Sequence, residues 1–258
     1  MSSENKTVCI TGATSGIGEA VARRLAADRY DLIMTGRRHD RLTALAEQLS
    51  TDCGVATLPL CFDVRDPQQV EAHIGRLPER WQAIDVLVNN AGLAVELRPV
   101  HDGLLDDWER MIDTNLKGML YMTRLVAPRM IARRTGHIIN IGSIAGREVY
   151  PNGNVYCATK QAVDALTKGL RMELLPFGIR VSQVAPGAVE TEFSIVRFKG
   201  DRPRANAVYS GFEPLHAADV ADLIAYMIGC PPHVNIADVL IVPAAQASTT
   251  LFERDRAH

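Results

Sequence analysis

The chain has 258 residues, 47% hydrophobic and 22% charged, with 28 basic and 30 acidic side chains and a formal net charge of −2. That length allows one large or two small domains, each with a real core, and the composition excludes a disordered or collagen-like chain. The balanced charge leaves no electrostatic footprint for nucleic acid. No apolar stretch approaches the ~20 residues of a membrane span, and residues 1–6 lack the apolar core of a signal peptide.

Along the chain, strand-like and helix-like segments alternate. A β-branched run at residues 7–11 reads as a strand and leads into a glycine-rich turn. Ala20, Val21, Arg24 and Leu25 then take up helical spacing. Residues 30–35 read as a second strand, and Leu42, Leu45, Ala46 and Leu49 mark one face of a second helix. A strand at 55–62, a helix at 70–77 and a strand at 84–88 follow. The spacing then predicts a helix over 108–133, a strand over 136–142, a helix over 154–175, a strand over 179–185, a helix over 219–227 and a last strand over 239–242. Short apolar strands separated by helices predict a parallel sheet covered on both faces. Right-handed crossovers make it one doubly wound α/β domain of about seven strands, spanning residues 1–258. Residues 192–215, weakly periodic and mixed in charge, are expected to form a lid over the carboxyl edge of the sheet, and 244–258 a tail. Cys9, Cys53, Cys61, Cys157 and Cys230 show neither a CxxC pair nor metal-ligand spacing with histidine. Five free thiols in a reducing cytoplasm and no metal site are therefore expected.

Four constellations carry chemistry. Thr11-Gly12-Ala13-Thr14-Ser15-Gly16-Ile17-Gly18 joins the first strand to the first helix. Glycines there let the backbone approach a pyrophosphate, and the helix N-terminus adds amides and a positive dipole end; the alternative is a plain turn. At the end of the second strand, where an acidic residue would select NAD, stand Arg37 and Arg38. Guanidinium matches phosphate geometry, so NADP is expected, its 2′-phosphate held by these two side chains; a solvated helix start is the competing reading. Asp63 and Val64, ending the third strand, are placed beside the adenine, with a helix cap as the alternative for Asp63. Tyr156 and Lys160 share one helix face at i and i+4, with Ser143 ahead of them at a strand end. The Lys160 ammonium is expected to lower the tyrosine pKa, making a proton-transfer pair with Ser143 positioning the reacting oxygen. A simple surface pair would show the same spacing. Finally Asn89-Asn90-Ala91-Gly92 ends the fourth strand where the cofactor would lie, and Asn115 either holds a water near Lys160 or is only a polar helix residue.

Together these residues resemble the short-chain dehydrogenase/reductase family over essentially the whole chain. TGATSGIG at 11–18, NNAG at 89–92, Asn115, Ser143, YxxxK at 156–160 and Pro186-Gly187 stand in the family's order and spacing. The resemblance implies a Rossmann-like sheet and catalysis by Ser143, Tyr156 and Lys160, extended by Asn115. It also implies hydride transfer at the nicotinamide, with Lys160 on its ribose and Pro186, Gly187, Val189 and Thr191 against its ring. A narrower resemblance, carried by residues 113–118, 153–156, 191–201 and 232–236, is to NADP-dependent serine 3-dehydrogenases and 3-hydroxy acid dehydrogenases. It implies L-serine, L-allo-threonine and 3-hydroxypropionate as substrates, and a homotetramer packed through the helices bearing Asn115 and Tyr156. Ala158, Ala162, Ala165 and Gly169 suit such packing, though a face buried within the chain would look the same. Glu96-Leu97-Arg98 departs from the subgroup, which often has a glycine there.

A small acid needs a cation for its carboxylate. Arg197, in the lid, is the leading candidate, with a salt bridge or a cofactor-phosphate contact as its alternatives. Tyr150 and Arg147 come next, and Ser143 faces the reacting oxygen. Competing functions are reduction of sulfoacetaldehyde, a broader carbonyl or 3-ketoacyl reductase, and an NADP(H)-sensing protein without turnover.

Overall fold

Buried β-branched and aliphatic residues build seven parallel strands through residues 5–255, the part of the chain that the computed structural model describes. The expectation for residues 1–4 and the last three residues of the tail, 256–258, lie outside it. In chain order the first half runs β1 (Thr7–Thr11), α1 (Gly16–Ala27), β2 (Asp31–Gly36), α2 (His39–Cys53), β3 (Thr57–Cys61), α3 (Pro67–Val70), β4 (Ile84–Asn89), α4 (Leu105–Ile112) and α5 (Met119–Arg133). The second half runs β5 (Gly136–Ile141), α6 (Asn154–Leu174), β6 (Ile179–Pro186), β7 (Val189–Glu190), α7 (Glu192–Arg197), α8 (Arg202–Ala207), β8 (Leu215–His216), α9 (Ala217–Gly229) and β9 (Asp238–Ile241).

The main sheet has the order β3-β2-β1-β4-β5-β6-β9, so the winding reverses between β1 and β4. In a doubly wound sheet the carboxyl ends on either side of that reversal leave a crevice for ligands. Alternate residues of each strand feed opposite cores. Val8 and Ile10 of β1 pack with Leu32 and Met34 under α1, α2 and α9, whereas Cys9 packs with Ile33, Leu87 and Ile138 under α5. Central strands buried on both faces explain the near-continuous apolar runs, while the edge strands β3 and β9 contain no fully buried residue.

The departures from the sequence reading have local causes. The third helix begins at Pro67 rather than 70, because Asp66 accepts hydrogen bonds from the amides of Gln68 and Gln69 and caps it. The long helix expected over 108–133 starts at Leu105 and is interrupted by a π-helical segment, Asp113–Gly118, that contains Asn115. The lid is not structureless: β7 pairs with β8 in a small second sheet, and α7 and α8 lie between them. The described tail folds back on its own chain, with Phe252 against Phe212 and Arg254 donating to the Val208 and Ser210 carbonyls.

Candidate active site

A cavity of about 620 Å³ opens at the carboxyl ends of β1, β2, β4, β5 and β6 and is roofed by α7. It is lined by the expected cofactor-side residues Gly12, Thr14, Ser15, Gly16, Ile17, Arg37, Arg38, Asp63, Val64, Asn90, Ala91, Gly92, Pro186, Gly187, Val189 and Thr191, and by Ser143, Tyr150, Tyr156, Lys160 and Arg197. Gly18, Asn115 and Arg147 do not line it.

The glycine-rich turn is shaped for close approach. Gly12 has a left-handed φ of +69°, which favours glycine. Gly18 touches no ligand space; a Cβ there would collide with the Gly12 carbonyl, so its role is to let α1 pack against the turn. Asn90 ties the turn to β4, donating from Nδ2 to the carbonyls of Thr11 (2.8 Å) and Gly12 (3.2 Å). Ser15 opens α1 with extended backbone and makes no side-chain cap, so its hydroxyl leaves the first-turn amides to face the cavity. This end of the site fits a pyrophosphate.

The two arginines are not equivalent. Arg37 is exposed, and among the described residues its one ion-pair partner is Asp63, at 3.9 Å. Arg38 is engaged: Nε and Nη2 donate to the Thr14 hydroxyl, Nη2 also to the Ser15 hydroxyl (2.6 Å), and Nη1 to Glu192 (2.6 Å). Asp63 is no helix cap; it holds the turn by accepting from the Arg65 amide and guanidinium while it lines the cavity.

Tyr156 and Lys160 come together with Ser143 as their spacing predicts, and all three are buried. The Ser143 hydroxyl accepts from the Ala145 amide (3.1 Å) and lies near enough to Tyr156 to oppose the rise of its pKa. Lys160 Nζ donates to the Ile141 carbonyl (2.8 Å), and burial lowers its pKa to about 8. One expectation needs correcting. Burial raises the Tyr156 pKa, and the charge that opposes this is Arg197, not Lys160. The Arg197 guanidinium stacks 5.2 Å from the centre of the Tyr156 ring and 5.0 Å from that of Phe193.

Asn115 has a structural role as well, and one further expectation changes. Both ends of the Asn115 amide are engaged within the fold: Oδ1 accepts from the Leu93 amide, and Nδ2 donates to the Leu93 carbonyl and the Thr159 hydroxyl. These bonds position the loop after β4, and Oδ1 keeps a second lone pair on the side of Gly92 that Lys160 Nζ also faces. Arg147 leaves the list of substrate contacts, because it forms an ion pair with Asp238 (2.6 Å) outside the cavity. Tyr150 stays: its hydroxyl accepts from Arg197 Nη2 (3.2 Å), and burial pushes its pKa up to about 12. Glu96, in the segment where the subgroup often has glycine, has a left-handed φ of +53°. Its amide donates to the Arg197 carbonyl (2.7 Å), which seats the lid.

Sequence reasoning missed several residues. Glu192 and Phe193 face the cavity from the lid, and Gln246 reaches it from the tail, accepting from the Ala188 amide (2.8 Å). Position in the lid singles out Glu192 and Phe193 only loosely, and no local signal marks Gln246.

A family model described as short chain dehydrogenase matches residues 6–201. The chain belongs to the short-chain dehydrogenase family. Within it, the chain is 46% identical over 241 residues to the NADP-dependent 3-hydroxy acid dehydrogenase YdfG of Salmonella typhi, covering 93% of this chain and 96% of that protein. It is 47% identical over 250 residues to sulfoacetaldehyde reductase 2 of Chromohalobacter salexigens, covering 96% and 98%. The closed form of a serine dehydrogenase complexed with NADP+ superposes with a TM-score of 0.90 at 42% identity, over 97% of this chain and all (100%) of that one.

Proposed function

We propose that the chain is an NADP(H)-dependent oxidoreductase interconverting small 3-hydroxy acids (L-serine, L-allo-threonine, 3-hydroxypropionate) with their semialdehydes or ketones. The observation that carries this reading is Arg197. Its guanidinium lies over the Tyr156 ring, has no carboxylate partner among the described residues, and keeps a buried Nε with no hydrogen-bond acceptor. An unpartnered buried donor beside a proton-transferring phenol suits a small anion whose hydroxyl reaches Tyr156. The lengths and names of the relatives support the same class.

When bound, NADP(H) supplies or takes the hydride at nicotinamide C4. The chain does the rest. Gly12, Thr14, Ser15, Gly16 and Ile17 hold the pyrophosphate, Arg37 and Arg38 the 2′-phosphate, and Asp63 and Val64 flank the adenine. Asn90, Ala91 and Gly92 line the middle of the cofactor, with Pro186, Gly187, Val189 and Thr191 at its nicotinamide end. Lys160 holds the adjoining ribose. Ser143 hydrogen-bonds the reacting oxygen, and Tyr156 gives that oxygen a proton in reduction or takes one in oxidation. Because burial favours the protonated phenol, the oxidation rate is expected to rise as the pH is raised.

Sulfoacetaldehyde reduction is a second reading, favoured by the 47% identical reductase; a sulfonate would use the same guanidinium. The deciding experiment measures initial rates of NADPH formation from NADP with L-serine, L-allo-threonine and 3-hydroxypropionate, each repeated with NAD. Activity with NADP on any of them supports the proposal. Inactivity on all three, with sulfoacetaldehyde reduced by NADPH, moves the assignment to the sulfonate. Arg197→Ala is expected to raise KM for the acids about 10- to 100-fold, well beyond any change for neutral alcohols; equal losses on both would remove the anchor.

A homotetramer is part of the same proposal. Ala158 and Ala165 of α6 are exposed, and a Cβ on Gly169 would meet nothing. Part of the small-residue stripe is therefore left open, with Ala162 and Gly169 half-buried, which supports close packing against another copy. Molar mass by light scattering tests it. Five free cysteines support a reducing, cytoplasmic setting; no helix among the described residues is long and apolar enough to cross a membrane.

A further inference from the structure

Glu192 takes no part in the redox chemistry, yet it sits at the cofactor end of the cavity. As the first residue of α7 it places Oε2 against Nη1 of Arg38 (2.6 Å) and Oε1 against Nη1 of Arg41 (2.8 Å). The other edge of Arg38 is occupied by Thr14 and Ser15. A phosphate binds a guanidinium best through two parallel N–H groups, and here both edges of Arg38 are already taken. Arg38 and Arg41 hold the Glu192 carboxyl well below its usual range, at about 2, so it is an anion at any working pH.

We propose that Glu192 stands in for the cofactor's 2′-phosphate, holding Arg38 and Arg41 until that phosphate takes Arg38 over. This rests on the reading of Arg37 and Arg38 as the phosphate site. A carboxylate and a phosphate on one guanidinium repel each other at close range, so the phosphate must displace Glu192 from Arg38. NAD has no such group and leaves the pair intact. Glu192 thereby becomes a cofactor-selectivity residue. It also opens the helix whose last residue is Arg197, only six residues long, or about 9 Å at 1.5 Å per residue. Release at one end is felt at the residues over Tyr156, so the arrival of a phosphorylated dinucleotide is coupled to the lid.

The test is the dissociation constant for NADP and for NAD, by calorimetry, in the full chain and two variants. Glu192→Gln is expected to tighten NADP about two- to fivefold, the upper part of the range for exposed ion pairs. It should leave NAD within twofold, and the gain should shrink in high salt. Arg38→Ala is expected to weaken NADP and spare NAD. If Arg38→Ala leaves NADP unchanged, the phosphate site itself is wrong and the proposal falls with it. If Arg38→Ala weakens NADP but Glu192→Gln does not tighten it, or tightens NADP and NAD alike, the phosphate site stands and the stand-in role is overturned. In the unsubstituted chain, amide exchange over residues 192–198 is expected to respond to NADP and not to NAD. Equal responses overturn the coupling to the lid.

Discussion

At the cofactor end of the cavity the walls are strand ends. Thr11, Asn90 and the glycine-rich turn are bonded into β1 and β4, and the residues beneath them are buried. At the lid end the roof is α7 and α8, seated by the Glu96 amide on the Arg197 carbonyl and by a few long side chains: Glu96 to Arg204 (3.1 Å), Lys199 to Asp107 (2.9 Å) and Glu192 to Arg38 and Arg41. The exposed pairs of Glu192 are each worth ~1 kcal/mol or less, Arg204 and Lys199 reach from the surface to more sheltered carboxylates, and a buried strand end shares the cooperativity of the whole sheet. A fixed cofactor cradle thus faces a roof that small energies can move, an arrangement suited to one cofactor and adjustable substrates.

Four experiments would break or sharpen this contrast. Tyr156→Phe removes the proton at the junction of the two ends. Turnover is expected to fall about 10²- to 10⁴-fold with NADP still bound, and a loss under tenfold would refute the acid–base role. Acid should strike the sheet before the roof. His137 of β5 is buried with Nε2 against the Ser182 hydroxyl (2.8 Å), and burial, aided by Arg180, pushes its pKa down to about 3. The folded chain therefore binds fewer protons than the unfolded one between pH ~6.5 and ~3. Stability is full above that window and lost as the pH falls through it, by up to about 5 kcal/mol. Urea midpoints at pH 7 and 4 should show the loss, and His137→Gln should reduce it. The Glu192 pair, with a carboxyl held at about 2, should outlast it. Gly18→Ala drives a methyl into the Gly12 carbonyl and is expected to cost about 1–3 kcal/mol, read as a lower Tm and weaker NADP binding. Smallest of all, Arg204→Ala should leave Tm nearly unchanged, a shift under ~1 kcal/mol, while speeding proteolytic cleavage in residues 192–215. Cleavage unaltered by this change would mean that the roof is held by something other than its ion pairs.

How much of this was legible in the sequence depended on how far apart the partners lie. The strands β1, β4 and β6 announce themselves because a strand buried on both faces is rich in apolar and β-branched residues, even where Asp85 or Arg180, Ser182 and Gln183 interrupt it. Tyr156 and Lys160 are one helical turn apart, so their meeting follows from spacing. The start of α3 was not readable from periodicity because an Asp-Pro cap sets it, and β7 and β8 are only two residues long each. The site's electrostatics were the least legible. Arg38 was recognisable as a candidate phosphate ligand, but its partner Glu192 is 154 positions away. Arg147 meets Asp238 across 91 positions. The cation acting on Tyr156 comes from the lid rather than from its own helix. Such pairings depend on the assembled sheet edge, which composition and periodicity do not encode.

The small β7–β8 sheet has a consequence for variation. Val189 pairs with Leu215 and Glu190 with His216, so the chain leaves and re-enters the domain at one place. A loop whose ends are already clasped tolerates added length at a cost that grows only with the logarithm of its size. The segment between the two strands is thus an exchangeable cassette. It can be lengthened, shortened or rewritten without disturbing the register of the seven-stranded sheet, provided that the two-residue clasp is kept.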